Sequence, residues 1–279
     1  MSVKIGLQLY ALRELLEKEP AGTLKAVADA GYRYVETASR MGMPAKELKA
    51  LMDSLGLMVM GSHIGSVDPD RMEEELDFHR ELGAKYIICG NDFFSYGVPS
   101  SVLKRCDDYN RAGELCRERG MKLCYHNHFQ EFQRLCRIPS MEWILENTDP
   151  KLVSLELDAY WAARAGMDPV DFLKKYRDRV PILHLKDFPS DAPQPLDLFD
   201  GVLSAYQKLT PEAFDQVSEP RCFIEMGEGI LPIKELMEIA VAEEAIEYMV
   251  IDQDFTSIDP FVSIRKNKAF LEQFDGVSF

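Results

Sequence analysis

Ile182-Leu183-His184-Leu185-Lys186-Asp187 is the stretch on which the fold of this chain turns. A run of apolar side chains stops at an imidazole, an ammonium and a carboxylate, which is how a buried strand looks where it surfaces into a site. The same ending recurs in Leu123-Cys124-Tyr125-His126-Asn127-His128, in Val153-Ser154-Leu155-Glu156-Leu157-Asp158 and in Tyr248-Met249-Val250-Ile251-Asp252-Gln253-Asp254. Four such endings point to one shared site.

Outward from these stretches, strand-like runs end near Leu9, Val35, Met60, Cys89, Tyr125, Leu157, Leu185 and Ile251. Helical periodicity fills most of the gaps, over 23–30, 44–55, 69–82, 101–119, 140–147, 168–176 and 232–243, and again over 259–270 after the last strand. Several helices pass to the next strand through glycine, as in Ala30-Gly31-Tyr32 and Leu82-Gly83-Ala84, because glycine accepts the left-handed conformation that ends a helix. Alternation of strand and helix means a mainly parallel α/β sheet, and eight repeats close more readily into a (β/α)8 TIM barrel than into an open doubly wound sheet. No G-x-G-x-x-G follows an early strand, so the dinucleotide-binding fingerprint of the open sheet is missing. One domain is expected over residues 1–279, with a rim insertion at about 188–221 around Asp191-Ala192-Pro193-Gln194-Pro195. That insertion reads equally well as a lid or partner contact and as a tolerated surface loop.

Lys and Arg total 32 against 47 Asp and Glu, a formal net charge of -15 that opposes nucleic acid and anionic membrane and accepts a small polar substrate. No apolar run of roughly 18 residues occurs, and Met1 to Leu9 has no basic segment leading into an apolar one, so a cytoplasmic protein without a membrane span is expected. Six cysteines without C-x-x-C spacing read as reduced thiols.

In a barrel the carboxyl ends of all strands converge on one face. The candidates that meet there are Glu36, His63, His126, His128, Glu131, Asp158, His184, Lys186, Asp187, Glu228, Asp252, Gln253 and Asp254, whereas His79, in a polar helix, reads as solvated surface. Carboxylates and imidazoles arriving together need a divalent cation or an ion-pair network to neutralise them, and the cation is the simpler expectation. A mixed Asp, His and Glu shell suits Mn2+ or Zn2+, with Mg2+ and Co2+ as further options. Asp158 and His184 are the leading ligands, completed by His126, Glu131 and Asp252. Trp161 offers an apolar wall for a sugar ring, Tyr160 reads as packing, and Lys186 is a donor to a developing oxyanion or an acid.

These residues resemble the xylose isomerase-like barrels, the sugar phosphate isomerases/epimerases that include tagatose 3-epimerases, inosose dehydratases and, more distantly, endonuclease IV. The resemblance rests on Gly31 to Glu36, Tyr125-His126-Asn127-His128 with Glu131-Phe132, Leu157-Asp158 with Trp161, His184-Leu185-Lys186-Asp187 and Gly227-Glu228-Gly229, in the family's order and across nearly the whole chain. It implies a metal held by glutamate, aspartate, histidine and glutamate from strands five to eight. Asp158 and His184 match the middle two; His126 stands where strand five usually has glutamate, with Glu131 as a substitute reaching back, and Asp252 replaces the glutamate of strand eight.

The expected activity is therefore metal-dependent proton transfer beside a carbonyl, with Glu131, His126 or Asp252 as base and Lys186 assisting. Glu36, His63, His128, Trp161, Glu228 and Gln253 are expected to touch the substrate. Return of the proton through an enediolate makes a sugar isomerase or epimerase; loss of a β-oxygen makes a lyase or dehydratase. A metal-free sugar-binding barrel and an endonuclease IV-like enzyme rank below both, since Trp161 replaces a histidine that the latter's zinc cluster needs. An unphosphorylated sugar is favoured, although the Gly227-Glu228-Gly229 amides are available to an anion, and self-association is compatible with the insertion.

Overall fold

The computed structural model describes residues 2–38, 40–95 and 97–279. Eight parallel strands form the barrel: β1 Val3–Gln8, β2 Tyr34–Thr37, β3 Met58–Gly65, β4 Tyr86–Gly90, β5 Lys122–His126, β6 Val153–Asp158, β7 Ile182–Leu185 and β8 Tyr248–Ile251. Each pairs with the next, and β8 returns to β1 in the register Lys4↔Tyr248 to Leu7↔Ile251, which closes the sheet. Closure leaves none of these eight strands at a sheet edge. The short strand Val277–Ser278 adds to the start of β1.

Helices Pro20–Asp29, Ala45–Ser54, Glu73–Leu82, Pro99–Glu118, Ser140–Asn147, Pro169–Tyr176, Ile233–Ala242 and Pro260–Leu271 wrap the barrel. Their boundaries follow local chemistry. Asp168 and Asp259 each cap the helix behind them, accepting from the second and third backbone amides at 2.9–3.1 Å, and each is followed by a proline whose missing N–H costs nothing there. Gly83 ends its helix at φ +88°. Buried Leu48 and Met52 on one helix, and Leu76 and Leu82 on the next, put one face of each against the sheet.

Strand alternation divides the lumen. Met60, Tyr86, Ile88, Cys124, Ile182, Tyr248 and Val250 fill the floor as a separate apolar cluster. Two residues further along the same strands, Tyr34, Cys124, Ile182 and Val250 give way to Glu36, His126, His184 and Asp252. The site is built on that polar layer.

Residues 188–221 pack onto the rim through short turns and the helix Ala213–Val217. The fully buried Arg164 anchors them, bonding to Gln194 Oε1 at 2.6 Å and Pro195 O at 3.3 Å, while Leu198 and Val217 are buried beneath. His79 is not solvated surface: it is only 2% exposed and lies 2.9 Å from Glu75 Oε1. Its position three residues after Leu76 and three before Leu82 puts it on the inward face of an otherwise polar helix.

Candidate functional site

The lower part of the polar layer gathers three imidazoles around two glutamates. Glu36, from β2, and Glu156, from β6, are both fully buried. His184 Nε2, from β7, lies 3.0 Å from Glu36 Oε1 and 3.0 Å from Glu156 Oε1. His63 Nε2, from β3, lies 2.7 Å and 3.1 Å from the same two oxygens. His126 Nδ1, from β5, is 2.9 Å from Glu156 Oε1, and the Gln8 amide donates to Glu36. Burial alone would raise the Glu36 carboxyl, but His184 and His63 override it and hold the group ionised well below the usual carboxylate range. Burial also works against a charged His63, yet Glu36 and Glu156 push it up to about 10, and the same two carboxylates raise His184 against its own burial. His126 goes the other way: burial, then His128 and His184, hold it neutral.

The upper part is organised by Lys186, a 2% exposed ammonium just past the end of β7. Its Nζ lies 2.7 Å from Asp158 Oδ2 and 3.3 Å from Asp254 Oδ2, and it also pairs with Asp252. Burial disfavours the cation, but these carboxylates keep Lys186 charged. Asp158 is also a structural cap: its Oδ1 accepts from Trp161 N at 2.8 Å and starts the helix Ala159–Arg164. Asp252 Oδ2 lies 3.2 Å from His184 Nδ1 and so links the two parts. Burial, partly opposed by Lys186 and reinforced by Asp252, lifts Asp254 to about 7. It is therefore a carboxyl able to donate a proton near neutral pH.

Above both lies a cavity of about 910 Å³. His63, His126, Lys186, Asp252 and Asp254 line it on the polar side, and Tyr10, Phe93, Trp161, Phe214 and Phe255 on the aromatic side. His128 faces the same space, its ring 4.6 Å from that of His126, 6.0 Å from Trp161 and 5.1 Å from Phe214 of the insertion. Burial first, then the Lys186 ammonium and His63, hold His128 well below the ordinary imidazole value, so it is a neutral base.

Of the residues expected from sequence, Glu36, His63, His126, His128, Asp158, Trp161, His184, Lys186 and Asp252 meet around this cavity or directly beneath it. Glu131 does not. It accepts from Tyr125 Oη and His128 N, both at 2.8 Å, and from the Gln130 amide. Tyr125 and His126 are consecutive on a strand and face opposite sides, so Glu131 is drawn to the outer face of β5. Glu228 is exposed and pairs with Lys266 at 2.7 Å. Gln253 is turned away, donating to Phe255 O at 2.8 Å and accepting from Asn267 Nδ2 at 3.1 Å.

The Gly227-Glu228-Gly229 amides are not free for an anion either. Gly227 N, Gly229 N and Leu231 N each donate to the Asp187 carboxylate at 3.0 Å, and a Cβ at Gly229 would lie 2.2 Å from Asp187 Oδ1. This motif, with Asp187, fixes the loop after β7. Sequence reasoning missed Glu156 and Gln8. The signal for Glu156 was parity: two residues before the inward-facing Asp158, it must face inward too.

A divalent ion fits these residues. His63, His126, Glu156 and His184 bring one donor atom each within 4.8 Å of one another, and Asp158, His184 and Asp252 do the same. His184 Nε2, Glu36 Oε2, Glu156 Oε2 and Asp252 Oδ1 are buried without a hydrogen-bond partner of good geometry, which leaves lone pairs for a cation. Imidazole nitrogen and carboxylate oxygen suit a borderline divalent metal.

A family model described as xylose isomerase-like TIM barrel matches residues 24–259. The inosose dehydratase of Geobacillus kaustophilus (strain HTA426) is 30% identical over 192 residues, covering 60% of this chain and 62% of that protein. The inosose dehydratase of Geobacillus thermodenitrificans (strain NG80-2) is 24% identical over 280 residues, 91% of this chain and 89% of that protein. Among solved structures, a sugar phosphate isomerase/epimerase from Parabacteroides distasonis superposes with a TM-score of 0.79 at 22% identity, covering 99% of this chain and 100% of that one. The IOLI protein with a bound zinc atom superposes with a TM-score of 0.70 at 14% identity, over 98% and 97% of the two chains. At these identities the superpositions speak for the fold alone.

Proposed function

The chain belongs to the xylose isomerase-like TIM barrel family, and on that premise we propose that it is a lyase acting on a keto-sugar or keto-polyol. Its reaction removes the proton on the carbon next to the carbonyl and expels the oxygen substituent on the following carbon. The C–H pair becomes the new C=C bond, the C–O bond breaks, and the oxygen departs with a proton as water or an alcohol, leaving an enone.

The observation that carries this reading is the pairing of a base and an acid about one aromatic platform. The His128 ring is 6.0 Å from the Trp161 ring, and Lys186 Nζ is 5.7 Å from it. A sugar ring stacked on Trp161 would meet the neutral His128, which takes the proton, and the Lys186–Asp254 pair. Asp254, neutral below about 7, supplies the proton to the departing oxygen. The Lys186 ammonium donates to negative charge as it develops on oxygen, and the aromatic wall excludes water from the reacting carbon. A divalent ion held around His184 would supply positive charge on the carbonyl side of the site. The two inosose dehydratases point to cyclic keto-polyols as the first substrates to try.

Return of the proton instead of loss of an oxygen would make the same site an isomerase or epimerase. Two neutral imidazoles facing the cavity, His126 and His128, favour keeping that reading second. Supplying purified protein with keto-inositols, keto-hexoses and 3-keto-glycosides and following ultraviolet absorbance separates them. An enone band supports the lyase; a rearranged sugar of unchanged mass and no band replaces it with the isomerase.

A further inference from the structure

Two groups of donors share His184, and they differ in whether their electron pairs are already spent. In the upper group Asp158 Oδ2 is taken by Lys186 and Asp158 Oδ1 by Trp161 N. Asp252 Oδ2 is shared between Lys186 and His184 Nδ1, which leaves only Asp252 Oδ1 without a partner. A second cation here would sit against the buried ammonium. In the lower group, by contrast, His184 Nε2, Glu36 Oε2 and Glu156 Oε2 have no hydrogen-bond partner although all are fully buried, while Glu36 Oε1, bonded to Gln8, and Glu156 Oε1, bonded to His126, are the oxygens that the imidazoles face.

The lower spacing also fits a coordination shell. Glu36 Oε1, Glu156 Oε1, His63 Nε2 and His184 Nε2 approach across the two carboxylates at 2.7–3.1 Å. A tetrahedral ion with bonds of roughly 2.0 Å has donor-to-donor edges of roughly 3.3 Å. Two carboxylate oxygens cannot both be served by one proton on His184 Nε2, but both can face one ion. The other ring nitrogen of His184 faces Asp252 at 3.2 Å, the carboxylate–histidine arrangement that fixes the tautomer of a metal ligand and turns its second nitrogen toward the metal.

We propose that the divalent cation of this chain is bound in the lower layer by His63, His184, Glu156 and Glu36, with His126 at its edge, and that Lys186 takes its place among Asp158, Asp252 and Asp254. Asp252 then orients His184 and is not a ligand. This rests on the reading that the site uses a divalent ion, and it moves that ion toward the lumen, below the cavity. His63 and His126, the two members of the group that line the cavity, carry its influence to a bound substrate.

X-ray absorption on wild-type protein loaded with one equivalent of Zn2+ tests the placement by counting imidazoles around the ion. Two or three imidazoles support the lower site; a single imidazole overturns it in favour of the upper group, where His184 is the only one. Competition for Zn2+ against a chromophoric chelator gives the second readout. His63→Ala and Glu156→Gln should weaken binding by at least about tenfold, the scale that even an outer-shell loss reaches, while Asp158→Asn should leave it nearly unchanged. The reverse ranking overturns the proposal. The absorption spectrum stands even if a variant fails to fold. Failure of the wild type to bind Zn2+, Mn2+ or Co2+ also overturns it, yet enone formation by that metal-free protein would leave the lyase reading intact.

Discussion

The floor of the barrel and the polar layer above it are built from the same strands, two residues apart, and they do opposite work. At the floor, Ile88, Cys124, Ile182 and Val250 bury apolar surface and need nothing from one another except fit. One step up, Glu36, His126, His184 and Asp252 are equally buried but must cancel one another's charge. The lesson is that strand period, not residue composition, separates stability from chemistry in this fold. Each inward position near the carboxyl end is available to the site because the positions beneath it hold the barrel closed.

The comparison is sharpened most by His128, the base of the proposed reaction, whose ring lies among His126, Trp161 and Phe214. His128→Gln should lower enone formation by about 100- to 10,000-fold, the range for losing a general base, with little change in melting temperature. Wild-type turnover in that variant would remove His128 from the mechanism. Lys186→Met tests the layer from the other side. It leaves Asp158, Asp252 and Asp254 without their cation, so a loss of about 3–5 kcal/mol in denaturant unfolding is expected together with loss of activity. Unchanged stability would mean that the upper group does not depend on Lys186. At the floor, Ile182→Ala should cost about 2–5 kcal/mol of stability while the specific activity of the folded fraction stays near wild type. A selective loss of activity there would break the division between the two layers.

A smaller effect tests Glu131, which lies behind β5. Burial is the main cause that lifts its carboxyl to about 8, against the lowering influence of the His128 amide and the Tyr125 hydroxyl. The folded state therefore keeps a proton that the unfolded chain gives up near the ordinary value of 4.5. Stability from this group is full below that value and is lost as pH rises through about 8. Glu131→Gln should flatten this fall, by at most about 1.4 kcal/mol per pH unit between those limits. Parallel curves for the two proteins in denaturant unfolding at pH 5 and pH 8 would contradict it. Phe214→Ala should have the smallest effect, a several-fold rise in KM with kcat kept, since the side chain only walls the cavity beside His128 and Trp161.

Much of this was legible in the sequence because strand ends and helix caps are local. Apolar runs ending in polar residues located all eight barrel strands, the helix Ser140–Asn147 was bounded correctly, and periodicity placed helices over 168–176 and 259–270 close to Pro169–Tyr176 and Pro260–Leu271. What escaped was set by facing and by partners. The helix Ala159–Arg164 has only six residues and starts from the Asp158 cap, so it shows too little periodicity to be seen. Glu156 was hidden in plain alternation, and Glu131 was carried to the wrong side of β5 by nearness in sequence. Gly227-Glu228-Gly229 looked free because nothing local reveals that Asp187, 40 residues earlier, takes its amides.

The central claim, that this site removes a proton beside a carbonyl with His128 as the base, is met most directly by incubating a keto-inositol with the protein in deuterium oxide and following that carbon by NMR. The account predicts that its proton is lost, by exchange or with the enone, in the wild type and not in His128→Gln. A proton that stays in place with the wild type, or leaves equally fast without His128, would contradict it.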